Sequence, residues 1–262
     1  MALLQSIAWL GCAKLPAHLQ TPRRLDRGVV LVLPGVEGRS AWNVNIALGL
    51  DQGGVTSAIR IHDWTNGVPG GYLTNLTNLE RNRQQAQAIA QWIRAYDREN
   101  PGRPLHLVGH SGGAALAVMA LEALPEHQSV EAVILLAPAL SPEYDLSPAL
   151  KRVARHMYSF SSEKDLTALK IGTSLFGSVD REFGEAAGRV GFKHPPVWSD
   201  QTRDLYRAHL RQIRWTRQLA EYGANGSHLG WASRRFARDY LAPIISQNEA
   251  RRPVMSPAPG DG

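Results

Sequence analysis

From Gly28 onward, short apolar runs alternate with longer stretches of helical periodicity. That alternation builds βα units around a parallel sheet. Val29 to Leu33 is an unbroken apolar run and reads as a buried strand, stopped by the loop Pro34-Gly35-Val36-Glu37-Gly38. Asn43 to Leu50 suits a short helix, Val55 to Ile61 a second strand, and Trp64 to Gly71 carries the turn residues Asn66, Gly67, Pro69 and Gly70. Leu79, Ala86, Ile89, Ala90, Ile93 and Tyr96 then recur at helical spacing, which predicts a helix over Leu79 to Asp97 with one apolar stripe. Leu105 to Val108 is a third strand, and Ala114 to Leu124 is apolar almost all round, as a buried helix is.

Further on, Val130 to Leu136 predicts a fourth strand, Pro148 to Arg155 a helix, His156 to Phe160 a fifth strand, Trp198 to Leu210 a helix and Gln212 to Thr216 a last strand. The expected fold class is α/β, a mostly parallel central sheet flanked by helices. Residues 1–27 read as an N-terminal segment and 28–246 as one domain. The tail, 247–262, has three prolines and a Gly-Asp-Gly end and reads as disordered.

Composition narrows the partners. At 44% hydrophobic and 20% charged, the 262-residue chain is neither a disordered protein nor a disulfide scaffold. The net charge of +6 comes largely from arginines of the C-terminal third, partly interleaved with acids and without a nucleic-acid motif. This reads as a solvated helical face, so no nucleic-acid partner is expected. A single cysteine excludes an intrachain disulfide or a CxxC site, and no dense histidine and carboxylate motif occurs, so no metal and no cofactor are expected. No apolar run reaches the roughly 18 residues of a transmembrane helix. The segment Ala8-Trp9-Leu10-Gly11-Cys12 resembles a bacterial lipoprotein processing site, but no Lys or Arg precedes it. An N-terminal helix packing Leu3, Leu4, Ile7 and Leu10 is the preferred reading and a cytoplasmic location goes with it; membrane contact is expected only if Cys12 is lipidated.

The candidate chemistry lies at Gly109-His110-Ser111-Gly112-Gly113, between an apolar strand and a buried helix. Strand, G-x-S-x-G and helix form the nucleophile-elbow pattern, which presents a serine hydroxyl on a strained turn with glycines where backbones crowd it. The chain thereby resembles the α/β-hydrolase superfamily, from about Val29 to Ile245. That resemblance implies an oxyanion hole from the amides of Gly112 and Val36, with Glu37 as the neighbour to consider. It also implies the order nucleophile, acid, histidine, which Ser111, Asp165 and His228 fit. Glu163 and Asp145 stay open as alternative acids. The other histidines lie in a predicted strand or helix, in the elbow, or before the final strand region.

The implied activity is cleavage of a carboxylic ester or thioester, small or lipid-like, through an acyl-enzyme on Ser111. A binding protein on the same fold, an acyltransferase and a cofactor-free haloperoxidase are the alternatives. The segment Ala137 to Arg155 is too short for a large cap domain, whereas the connection after Asp165 is long. Its stretch from Gly172 to Trp198 is rich in glycine and aromatic residues and is expected to be a mobile flap, with Phe176, Phe183 and Trp198 lining the acyl pocket.

Overall fold

The computed structural model describes residues 14–67, 75, 77–165, 185–195 and 198–250. The predicted strands become β1 (Val29–Leu33), β2 (Ala58–Ile61), β3 (Leu105–His110), β4 (Ala132–Leu136), β5 (Met157–Ser161) and β6 (Leu210–Arg214). They form one sheet in the order β2-β1-β3-β4-β5-β6, with every pairing parallel. The chain runs outward from β1 to β2, then returns to place β3 on the other side of β1. In such sheets this reversal opens a crevice at the carboxyl ends of the two strands, where ligands bind. Leu33 is in register with Gly109, so the loop after β1 and the turn after β3 leave the sheet side by side.

The main helices are α1 (Ala41–Gln52), α2 (Leu79–Glu99), α3 (Gly112–Glu122), α4 (Asp200–His209) and α5 (Ala242–Ala250). Strand β1 is buried throughout, and its alternating side chains feed two cores. Val29, Leu31 and Leu33 pack with α2 and α3, whereas Val30 and Val32 pack with α1 and the C-terminal helices. Each core removes a wall of β-branched and leucine side chains from water, at roughly 25 cal/mol per Å² of apolar surface. Leu19, from the N-terminal segment, is fully buried in the second core. No helix among the described residues is long and apolar enough to cross a membrane.

Several expectations are corrected. The helix over Pro148 to Arg155 is a single turn, Ser147–Leu150, because the next backbone is taken by Val130: its N–H donates to Arg152 O at 2.9 Å and its carbonyl accepts from Ala154 at 2.9 Å. Strand β2 starts at Ala58 rather than Val55, whose N–H closes the end of α1 on Leu50 O at 3.1 Å. The last strand begins directly after α4, at Leu210, and forms the sheet's outer edge beyond β5. Helix α5 runs to Ala250, past the point where the tail was expected to lose order. No large cap lies among the described residues, as expected.

The expected flap falls largely on residues outside those described, Phe176 and Phe183 included, as does Cys12. Its described part packs on the domain. Ala187 and Gly188 donate to Leu140 O and Pro138 O at 2.8 and 2.9 Å. Gly188 is a close-packing position rather than a hinge, since a Cβ there would meet the Ala137 carbonyl carbon at 2.5 Å. Phe192 is buried in the first core, fastened through its backbone to the Gln212 side chain at 2.7 and 2.9 Å.

Candidate active site

Ser111 caps the N-terminus of α3 with φ 55 and ψ −119, a conformation that is strained for any residue but glycine. Backbone hydrogen bonds hold it there. Its N–H donates to Leu136 O at 2.8 Å, and its carbonyl accepts from Ala114 and Ala139 at 3.1 and 3.2 Å. The flanking glycines are sterically required. A Cβ on Gly109 would meet Ala114 Cα at 2.5 Å, and one on Gly113 would meet Leu33 O and Pro34 O at 2.2 and 2.3 Å. The first amides of α3 have no acceptor within the helix and carry its positive dipole end, so negative charge is favoured beside Ser111.

The loop after β1 lies over this turn. A Cβ on Gly112 would meet Val36 Cγ1 at 2.9 Å and the Trp64 ring at 3.1 Å, so the two expected oxyanion donors are neighbours. The loop's carbonyls are each tied down. Pro34 O accepts from Trp64 Nε1 at 2.7 Å, Gly35 O from Gly38 N–H at 3.0 Å, and Val36 O from the buried Asn75 Nδ2 at 3.0 Å. In a planar trans peptide the N–H points opposite its carbonyl, so fixing Gly35 O on Gly38 turns the Val36 N–H away from Gly38. Trp64 and Asn75 are sequence-distant from the elbow, and nothing in the linear pattern assigns them this role.

Asp165 and His228 meet. Nδ1 of His228 lies 2.6 Å from Asp165 Oδ2, and the carboxylate is buried, in a turn closed by its own N–H on Ser162 O at 2.9 Å. The alternative acids are elsewhere. Glu163 is exposed, and Asp145 is exposed and accepts from Ser147 N–H at 2.9 Å. Trp215 joins the two loops: Lys164 Nζ lies 3.9 Å from its ring centroid, its Nε1 donates to Ala224 O at 2.7 Å, and Gly226 packs on its face. His228 itself opens a short 3-10 turn capped by Ser227, whose Oγ accepts from Gly230 N–H at 3.2 Å.

His110 brings that turn to the elbow. Its Nε2 lies 3.1 Å from His228 O and the two rings are 4.8 Å apart. Its neighbour in sequence is Ser111. The ring of Trp198 lies tilted against His194 at 4.2 Å and edge-on to Tyr206 at 5.2 Å. It lines a cavity of about 570 Å³ together with Phe192 and Arg203, to which neither Ser111 nor His228 contributes. Among the described residues no cluster of side chains could hold a metal ion.

Comparison with known proteins agrees with this architecture. Among solved structures, Est1E from Butyrivibrio proteoclasticus is 11% identical over 88% of this chain and 90% of its own, with a TM-score of 0.51. Aspergillus fumigatus lipase B is 11% identical over 89% of this chain with a TM-score of 0.53, and the match spans 55% of the lipase. At that identity the likeness concerns the fold alone. No curated protein sequence matches the chain significantly. The family model described as "Serine aminopeptidase, S33" matches residues 24–182, which covers β1 through β5 with the whole elbow from Gly109 to Gly113. With more than half its length matched and the parallel sheet in place, the chain belongs to that family of α/β hydrolases.

Proposed function

We propose that the chain is a serine hydrolase that cleaves a carboxylic ester or thioester through an acyl-enzyme on Ser111. The observation that carries this reading is the 2.6 Å contact of His228 with the buried Asp165, delivered beside a serine in the strained elbow conformation. Ser111 Oγ attacks the carbonyl carbon while Nε2 of His228 takes its proton. Asp165, bound to Nδ1, fixes the tautomer in which Nε2 is the free base and stabilises the imidazolium that forms. The N–H groups of Gly112 and Val36 receive the oxyanion, and preorganised donors of this kind are worth roughly 3 to 4 kcal/mol each. The imidazolium then returns the proton to the departing alcohol or thiol, and water repeats the sequence on the acyl-enzyme.

The family description favours a second substrate bond, the amide of a peptide N-terminus, which the same residues cleave by the same steps. Labelling with a fluorophosphonate, followed by peptide mass spectrometry, tests the common mechanism. The expected result is one adduct on Ser111, absent in Ser111→Ala together with ester turnover. Retained turnover in Ser111→Ala overturns the proposal. Faster release of p-nitroaniline from aminoacyl anilides than of p-nitrophenol from acyl esters moves the assignment to the peptidase reading.

A further inference from the structure

The loop after β1 is held from outside by two side chains, Trp64 on Pro34 O and Asn75 on Val36 O. Each of these is held in turn by one of two consecutive residues in the first turn of α2. Arg81 Nη2 donates to Trp64 O at 2.8 Å, and Asn82 Nδ2 donates to Asn75 O at 2.9 Å. Asn75 Oδ1 is also engaged, accepting from Asn66 N–H at 3.2 Å, so the amide that grips Val36 O has a fixed orientation. Inside the loop, the Glu37 carboxyl folds back across Gly35, where a Cβ would meet Oε2 at 2.2 Å. The loop is thus filled by its own side chain and suspended from α2.

Asn82 is an expensive residue for the place it occupies. It is fully buried, and its Oδ1 is shut off from solvent with no hydrogen-bond partner among the described residues. Leaving such an atom unsatisfied costs about 1 to 3 kcal/mol, and asparagine is a poorer helix former than leucine, which has the same branched outline. Leucine would remove both penalties but would strip Asn75 O of its donor, a loss of similar size. On stability the two residues are therefore close to even. What asparagine alone supplies is a fixed position for Asn75. Asn75 pins the peptide that follows Val36, and Gly38 N–H, on Gly35 O, pins the peptide that precedes it. With both planes set, so is the direction of the Val36 N–H.

We propose that Asn82 is a positioning residue for the reaction, acting through Asn75 to keep the Val36 amide aimed at the oxyanion. The inference rests on the serine-hydrolase reading given above. An oxyanion donor acts because it is already oriented when charge develops, so loosening it weakens transition-state binding and leaves ground-state binding nearly untouched.

The test compares wild type, Asn82→Leu, Asn75→Leu and the double variant on p-nitrophenyl butanoate, with Tm measured for each. Asn82→Leu is expected to lower kcat by roughly tenfold or more, with KM within about twofold and Tm within a few degrees of the wild type. The Ki of the trifluoromethyl ketone with the same propyl chain, whose adduct on Ser111 carries an oxyanion, rises by the same factor. Because Asn82 acts through Asn75, the double variant loses no more than Asn75→Leu alone. A kcat within about twofold of wild type, a loss confined to KM, an unchanged ketone affinity, or losses that multiply in the double variant overturns the proposal. If Asn82→Leu does not fold, Asn82→Ser, which removes the amide without adding apolar bulk, is read by the same criteria. Fluorophosphonate labelling of Ser111 is run in parallel. With labelling of the wild type intact, an unaffected Asn82→Leu sinks only the role of Asn82; with labelling absent, the serine-hydrolase reading fails and takes this inference with it.

Discussion

Nε2 of His110 lies 3.1 Å from the carbonyl oxygen of His228. Burial, and after it the neighbouring His228, pushes the His110 pKa down to about 3, so its ring is neutral at physiological pH. The proton on Nε2 is therefore a hydrogen bond to the backbone of the proposed base, made by the residue next to the proposed nucleophile. Replacing His110 by Leu is expected to lower kcat by roughly 10- to 100-fold with little change in KM, since a small displacement of a reacting group costs that much. His110→Gln keeps a donor and should lose less. Steady-state kinetics on one ester, with Tm measured alongside, checks both.

Asp165→Asn is expected to cost on the order of 10⁴ in kcat by analogy with serine proteases, because the amide favours the wrong histidine tautomer. Glu163→Gln and Asp145→Asn should stay within about twofold, as neither carboxylate contacts His228 and both are exposed. A crippled Asp145→Asn would reassign the acid.

Gly113→Ala should destabilise the fold by roughly 3 kcal/mol or more, since the new methyl meets two backbone carbonyls that cannot move independently of β1. Gly67→Ala provides the contrast: its surroundings are open within 4 Å, and only its positive φ of 67 opposes the change, at about 1 to 2 kcal/mol. Urea denaturation of the two variants measures the difference.

Glu122 supplies a pH prediction away from the site. Burial raises its pKa from 4.5 to about 7, against the Tyr144 hydroxyl that donates to Oε2 at 3.0 Å and favours the charged form. The folded state thus holds a proton that the unfolded state releases near pH 4.5, so stability falls as pH rises from about 4.5 to about 7 and levels off above. Glu122→Gln should remove about 1 to 3 kcal/mol of that loss, read as a smaller drop in denaturation midpoint between pH 5 and pH 8. An identical drop in both proteins refutes the assignment.

What the sequence made legible was local. The elbow could be read because a strand, two obligatory glycines and an all-apolar helix are consecutive, and each is needed for a reason that does not depend on the rest of the chain. Asp165 and His228 could be read as candidates because loops after late strands carry such residues in the resembling fold. The failures lie where distant backbones compete or meet. Val130 captures residues that otherwise continue the helix begun at Ser147. Trp215, Asn75 and Trp64 act across gaps that leave no periodic trace, and the fold-back of Glu37 over Gly35 depends on a loop conformation that residue types alone do not specify.

The position of β6 at the rim of the sheet has a consequence for the protein in concentrated solution. An unpaired strand edge is a template on which another chain can add a strand. Among the described residues no further strand pairs with that rim; its residues are partly or fully exposed, and two of its five are arginines. Arg211 turns its guanidinium back onto the carbonyls of Leu210 and Arg207, at 3.0 and 2.8 Å, so it occupies main-chain acceptors at the start of the rim with its own charge. A second molecule approaching edge to edge meets like charge, and it must also displace those bonds before any ladder forms. The same arginines that read in the sequence as a solvated face thereby act as a guard against edge-on aggregation.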